Sequence, residues 1–326
     1  MRNFIKGLIT VSLLMTSLMA KDTKAVEKKA QATQSVQDVQ VFVSDNKDGK
    51  ITPATIQKAF EKKGFYVTAN NNMNSPFTKR YKKTGYDVFN LYVVHKPDLA
   101  LALIKKYPQM ALFTPLSMSI YTKKGDKTIS VSSMTIHGIS KITKIPEDDK
   151  DLIKLGQEVK EALKTAMPNG KFEKLNYSIK KPDAPLVAKF EMEMDVKPKN
   201  LDDEKEDLQA EIEGELETQG FVVAGFNTLG EDFKEKGYDA YDFFDVYSIC
   251  KIAVAYTVSK THPNMGAFAP CSFYMYKKKG DKTVHFGWAS VVNWISSLDI
   301  QDKESKDALL TAQKKFENIL KETTED

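Results

Sequence analysis

Short apolar blocks recur along this chain, and their periods switch between strand and helix. Val39-Gln40-Val41-Phe42-Val43 reads as a strand. Ile56, Ala59 and Phe60 then form an apolar stripe at helical spacing. Thr52 suits the cap of that helix, Pro53 its first position, and Gly64 its end. Phe65–Thr68 reads as a second strand, Asn70–Asn74 as a polar loop, and Tyr86–His95 as a third strand. A helix follows over Pro97–Lys106, since Pro108 cannot continue it. Leu116–Tyr121 and Thr128–Ile136 flank the turn Lys124-Gly125-Asp126-Lys127, a hairpin signal. One long amphipathic helix is predicted over Pro146–Met167.

The same order then returns. Phe190, Met192 and Met194 alternate with Glu191, Glu193 and Asp195, as on a half-buried strand. An acidic helix over Leu201–Gln219 is closed by Gly220. Strands are predicted over Phe221–Phe226 and Tyr241–Cys250, and a helix over Ala253–Lys260. Cys271–Tyr276 and Thr283–Val292 flank a second Gly-Asp-Lys-Thr turn, and Ser305–Glu322 closes the chain as a helix.

The correspondence extends to single residues. Gly64-Phe65 matches Gly220-Phe221, and Gly85-Tyr86-Asp87 matches Gly237-Tyr238-Asp239. In one constant register, Tyr92 falls on Tyr247, Pro108 on Pro263, Pro115 on Pro270, and Gly125–Thr128 on Gly280–Thr283. One residue further on, Asp151 and Gln157 fall on Asp307 and Gln313. The period is too long for a solenoid, so two similar domains are expected. We place them at 38–175 and 186–326, joined by a linker over 176–185. Strands and helices in this order imply an α+β fold. Each domain is expected to hold a mixed or antiparallel sheet with helices mainly on one face. The two copies are expected to pair with each other.

Both copies, 38–175 and 186–326, resemble the DUF302 family of small bacterial domains, the second more fully. The resemblance rests on Gly220-Phe221, on Cys250 at a strand end, on the short helix with Ala253 and Ala255, and on Pro270-Cys271 before the hairpin. The family pattern has Cys-Asn-Pro at the first cysteine, whereas this chain has Lys251-Ile252 after Cys250. The first copy keeps Pro97 but carries His95 and Leu116 in place of the cysteines. The resemblance implies an α+β domain that pairs with a like domain.

Charge changes the picture little. The 48 basic and 44 acidic side chains nearly cancel, which argues against nucleic acid as a partner. The N-terminus reads as an export signal over 1–20: Arg2 and Lys6 precede a short apolar run from Leu8 to Met19, and Ala20 suits the cleavage point. Residues 21–37 read as a disordered lead-in. No later segment has the pattern of a membrane span, so a soluble periplasmic or otherwise exported protein is expected.

Candidate chemistry is sparse. Asn46, Asp48 and Gly49 faintly resemble a calcium loop, but Ser44 and Thr55 stand where carboxylates are needed, so a strand-to-helix turn is the better reading. The four histidines are widely spaced and form no metal motif. The aromatic cluster Tyr238, Tyr241, Phe243, Phe244 and Tyr247, and both Trp288 and Trp294, read as core. His95, Cys250 and Cys271 remain as ligand or metal candidates, because His95 occupies the position of Cys250 in the repeat and both residue types bind soft or borderline metals. Cys250 and Cys271 admit three readings: a disulfide, inert core thiols, or a ligand or redox role. If their strands run parallel, the two lie at opposite edges, too far apart for a bridge. No catalytic residue is assigned, and the sequence names no cofactor. Two function classes follow: a non-enzymatic exported module that binds a small ligand, metal or partner protein, and a thiol-based redox or metal- or haem-handling protein.

Overall fold

Two antiparallel sheets of matching strand order form the framework. The computed structural model describes residues 37–177 and 179–324. The predicted leader and nearly all of the predicted lead-in lie outside the described residues.

The first half runs β1 (Val39–Asp45), α1 (Pro53–Lys62), β2 (Tyr66–Asn72), α2 (Asn74–Tyr81), β3 (Tyr86–His95), α3 (Pro97–Lys106), a 3-10 segment (Pro108–Phe113), β4 (Leu116–Lys123), β5 (Thr128–Met134), α4 (Ile136–Thr143), α5 (Lys150–Ala166) and β6 (Lys171–Phe172). The second half runs β7 (Val187–Glu193), α6 (Leu201–Thr218), β8 (Val222–Thr228), α7 (Leu229–Glu235), β9 (Tyr241–Cys250), α8 (Ile252–Ser259), a 3-10 segment (Pro263–Ala267), β10 (Cys271–Lys278), β11 (Thr283–Ala289), α9 (Val292–Ser297) and α10 (Lys303–Glu322). The sheet orders are β2-β3-β4-β5-β1-β6 and β7-β11-β10-β9-β8. Read from the opposite edge, the second repeats the first as far as β1.

Local chemistry explains the start of the repeat. The Thr52 hydroxyl accepts from the Thr55 amide, and the Thr55 hydroxyl accepts from the Thr52 amide, so the first helix is capped from both sides. Asn46 fixes the turn before it, its side chain bonding both the amide and the carbonyl of Ile51. Gly64 and Gly220 end their helices in the left-handed region, at φ +75° and +76°.

Three expectations are corrected. The run Asn70–Asn74 is not a loop: it completes β2 and opens α2. The single helix expected from Pro146 begins only at Lys150, and a separate helix, α4, precedes it. Short helices α2 and α7 were not foreseen. Each buries few side chains: Phe77 in α2, Leu229 and Phe233 in α7. A stripe so short has no legible period.

Each sheet carries long helices on one face and meets the other half on its second face. Met118 and Ile120 of β4 are fully buried in their own half. Between them Ser119 turns the other way and donates to the Pro263 carbonyl at 2.7 Å, while Ser117 donates to the Pro270 carbonyl at 3.1 Å. The two 3-10 segments thus lie across each other's sheets. Tyr86 of β3 donates to the Ser259 carbonyl, and Tyr81 stacks on Tyr256 at 3.8 Å. Buried Asp38 accepts from Lys141 of its own half and from Ser297 of the other, each at 2.5 Å. From Asp38 on, the chain forms one compact unit. Among the described residues no helix is long and apolar enough to cross a membrane.

Candidate functional site

The second sheet's helical face is floored by β9, β10 and β11. In the ladder Cys271 lies opposite Ile249, and Phe273 opposite both Tyr247 and Trp288. Ile249, Cys271, Phe273 and Trp288 line the space under α8 and α10, where Phe316 packs on Phe273 at 5.1 Å and meets Trp288 edge-on at 5.3 Å. Between floor and helices the side chains leave a cavity of about 60 Å³. Its lining includes Ile249, Cys250, Cys271, Trp288, Val254, Ala255, Leu309, Ala312, Phe316 and Trp294. A water-sized group needs roughly 15 Å³ on such a scale, so the space takes about four of them.

Of the polar side chains that meet this cavity, Gln313 and Lys251 are already engaged. Gln313 accepts from the Ser290 hydroxyl at 3.0 Å and the Val291 amide at 2.8 Å, and donates to Glu317. Lys251 holds its ammonium 4.6 Å from the centre of the Phe221 ring and donates to the Gln219 carbonyl at the end of α6. The Trp288 indole N–H is buried and has no hydrogen-bond partner. An unsatisfied donor of this kind costs about 1–3 kcal/mol.

The structure brings Cys250 and Cys271 together. Strands β9 and β10 are antiparallel neighbours, and the residue opposite Cys271 is the one before Cys250. The expectation built on parallel strands is therefore overturned: α8 and the 3-10 segment turn the chain back, so one strand's end lies beside the next one's start. Both thiols are free. Burial pushes each up to about 12, and Cys271 is raised further by its neighbour Cys250. A thiol so placed stays protonated at neutral pH and is a poor nucleophile.

His95 does not join them. It ends β3, opposite Tyr66, and is affected by Lys236, which lies just ahead of β9. Cys250 lies at the far end of β9, a strand of ten residues. At about 3.3 Å per residue that is roughly 30 Å of strand. Burial, with Lys236 adding to it, holds the His95 imidazole down to about 4. Among the described residues no group of three or more His, Cys, Asp or Glu is arranged to hold a metal ion.

Of the aromatic residues read as core, Phe243, Phe244, Tyr241 and Tyr247 are buried. Trp288 and Trp294 are buried too, yet both line the cavity. Lys251 and Trp288 are the site residues that sequence reasoning missed. The signal for Lys251 was present: it repeats Lys96 of the first half, and both lysines sit over a repeated phenylalanine, Phe65 or Phe221.

Two fused antiparallel α+β units, each laying its 3-10 segment across the other's sheet, define the class. The model of the family described as "Domain of unknown function DUF302" matches residues 41–169 and again 199–323. The chain belongs to that family, in two copies. A solved structure titled uncharacterized conserved protein DUF302, from Bacillus stearothermophilus, is similar at 18% identity and a TM-score of 0.35, over 42% of this chain and 98% of that one. No curated protein matches.

Proposed function

We propose that the chain is an exported, non-enzymatic binding module whose second copy takes a small, mostly apolar ligand beneath α8 and α10. The observation that carries this reading is the cavity, whose lining includes Trp288 with its buried, unpartnered indole N–H. A well-packed core closes on itself at crystal-like density. A space open to about four water-sized groups, with mostly apolar walls and a few polar groups, has the make-up of a small-ligand pocket. The first copy serves as the rigid partner that fixes the second sheet. The segment 176–185, between β6 and β7, is the connector. Arg2, Lys6 and the apolar run to Met19 support export, to a periplasm where the cell has one. A thiol-exchange role is less well supported, because a thiol raised to about 12 attacks slowly.

The test uses the protein's own reporters. Both tryptophans line the cavity, and the chain has two in all. Titration with toluene or 1-hexanol should change tryptophan emission saturably and raise the melting temperature. Ala312→Leu, which fills the space from α10, should abolish both responses while remaining folded. A linear, non-saturating response unaffected by Ala312→Leu would reject the cavity as the site.

A further inference from the structure

We propose that the ligand of this cavity is a small organic acid, its apolar body under α10 and its carboxylate on Lys251. The inference rests on the binding reading above and adds the charge of the ligand.

The argument comes from comparing the two halves. In the first half Lys96 follows β3, lies over Phe65 at 4.9 Å, and donates to the Lys63 carbonyl at 2.6 Å. Its charge is met by the Glu158 carboxylate at 2.6 Å, with both side chains largely buried. In the second half Lys251 repeats each feature of the backbone and ring contact, over Phe221 and on the Gln219 carbonyl. The carboxylate is missing. In the register that pairs Gln157 with Gln313, Glu158 falls on Lys314, an exposed lysine.

The surroundings of Lys251 are cationic instead. Lys315 donates to the Gln219 side chain at 3.1 Å, beside the carbonyl that Lys251 uses. Arg80 arrives from the first half. Lys251 is held below its ordinary range by burial first and then by these two cations. Among the described residues none of the three has a carboxylate within the 4.0 Å of an ion pair. Lys251 is the charged residue of the lining, and Lys315 lies beside it on Gln219, so the charge at this edge of the cavity favours an anion. A ligand carboxylate would stand to Lys251 as the Glu158 carboxylate stands to Lys96 in the first half. A monocarboxylate with a short apolar tail satisfies both, its tail lying along Cys271 and Trp288.

The experiment compares hexanoate with 1-hexanol, which share a tail and differ in charge, by tryptophan titration of the full chain. Hexanoate should bind at least about tenfold more tightly, as a charge-assisted contact in a partly buried site allows. Lys314→Glu restores the first half's carboxylate on an exposed position. It should remove most of that preference and leave 1-hexanol binding unchanged. Lys251→Met, which keeps the apolar stem, should likewise remove most of the preference for hexanoate. If 1-hexanol binds as tightly as hexanoate and Ala312→Leu blocks both, the cavity reading stands and the acid is refuted. If neither compound binds, the binding reading fails and takes this inference with it.

Discussion

Gly266 of the second half lies so close to Ser119 of the first that a Cβ on it would stand 2.4 Å from the Ser119 Cβ and 2.6 Å from its amide nitrogen. Backbone meets backbone here, which no side-chain rotation relieves. The counterpart of Gly266 in the first half is Ala111, so the tight approach belongs to one side of the pair.

Gly266→Ala should therefore force the halves apart locally. The expected loss is about 1–3 kcal/mol, the range of an overpacked core. Urea denaturation measures it, with Ala111→Gly as a control free of any clash. An unchanged midpoint for Gly266→Ala would show that the halves are less tightly joined than the structure shows.

Residues 186–326 expressed alone should aggregate or dimerise. The face that Ser272 and Tyr274 of β10 present lies under the other half's 3-10 segment, and both residues are buried. Exposing such a patch favours association. Sedimentation of the isolated half gives the answer, and a stable monomer would contradict the shared core.

Native protein should show two thiols that react slowly. Burial holds Cys250 and Cys271 at about 12, so alkylation at pH 8 should lag far behind that of denatured protein. Ligand in the cavity should slow it further. Fewer than two thiols in denatured, unreduced protein would reveal a bridge and contradict the free state.

His95 should make the protein less stable in mild acid. Its folded imidazole titrates at about 4, against about 6.5 in an unfolded chain. Above pH 6.5 it is neutral in both states and has no effect. Between 6.5 and 4 the unfolded chain takes up a proton that the fold refuses, so stability falls as pH falls. His95→Gln should flatten this part of the stability profile. Equal slopes for the two proteins between pH 7 and 4.5 would count against a buried, neutral His95.

Much of the fold was legible because its strongest elements are long and apolar. The bounds of β3, α3 and β9 fall where the patterning puts them. The repeat itself was legible, residue by residue. Strand direction was not, since a strand reads alike either way and the return is made by α8 and a 3-10 segment with no turn motif. That is why the sequence leaves the spacing of Cys250 and Cys271 open, while the antiparallel fold makes them neighbours. The cavity was not legible either: Trp288 and Phe273 alternate as any core pair would, and a missing volume leaves no trace in a pattern. The exchange of Glu158 for Lys314 could be read from the repeat, but its meaning needed Lys251 to be seen over Phe221.

The most direct measurement on the binding reading is native mass spectrometry of the intact chain after equilibration with a mixture of small apolar acids and alcohols. The account predicts one non-covalent adduct per chain at most, drawn from the compounds with short tails, and its loss in Ala312→Leu. Bare protein throughout, or adducts in multiples that Ala312→Leu leaves unchanged, would contradict it.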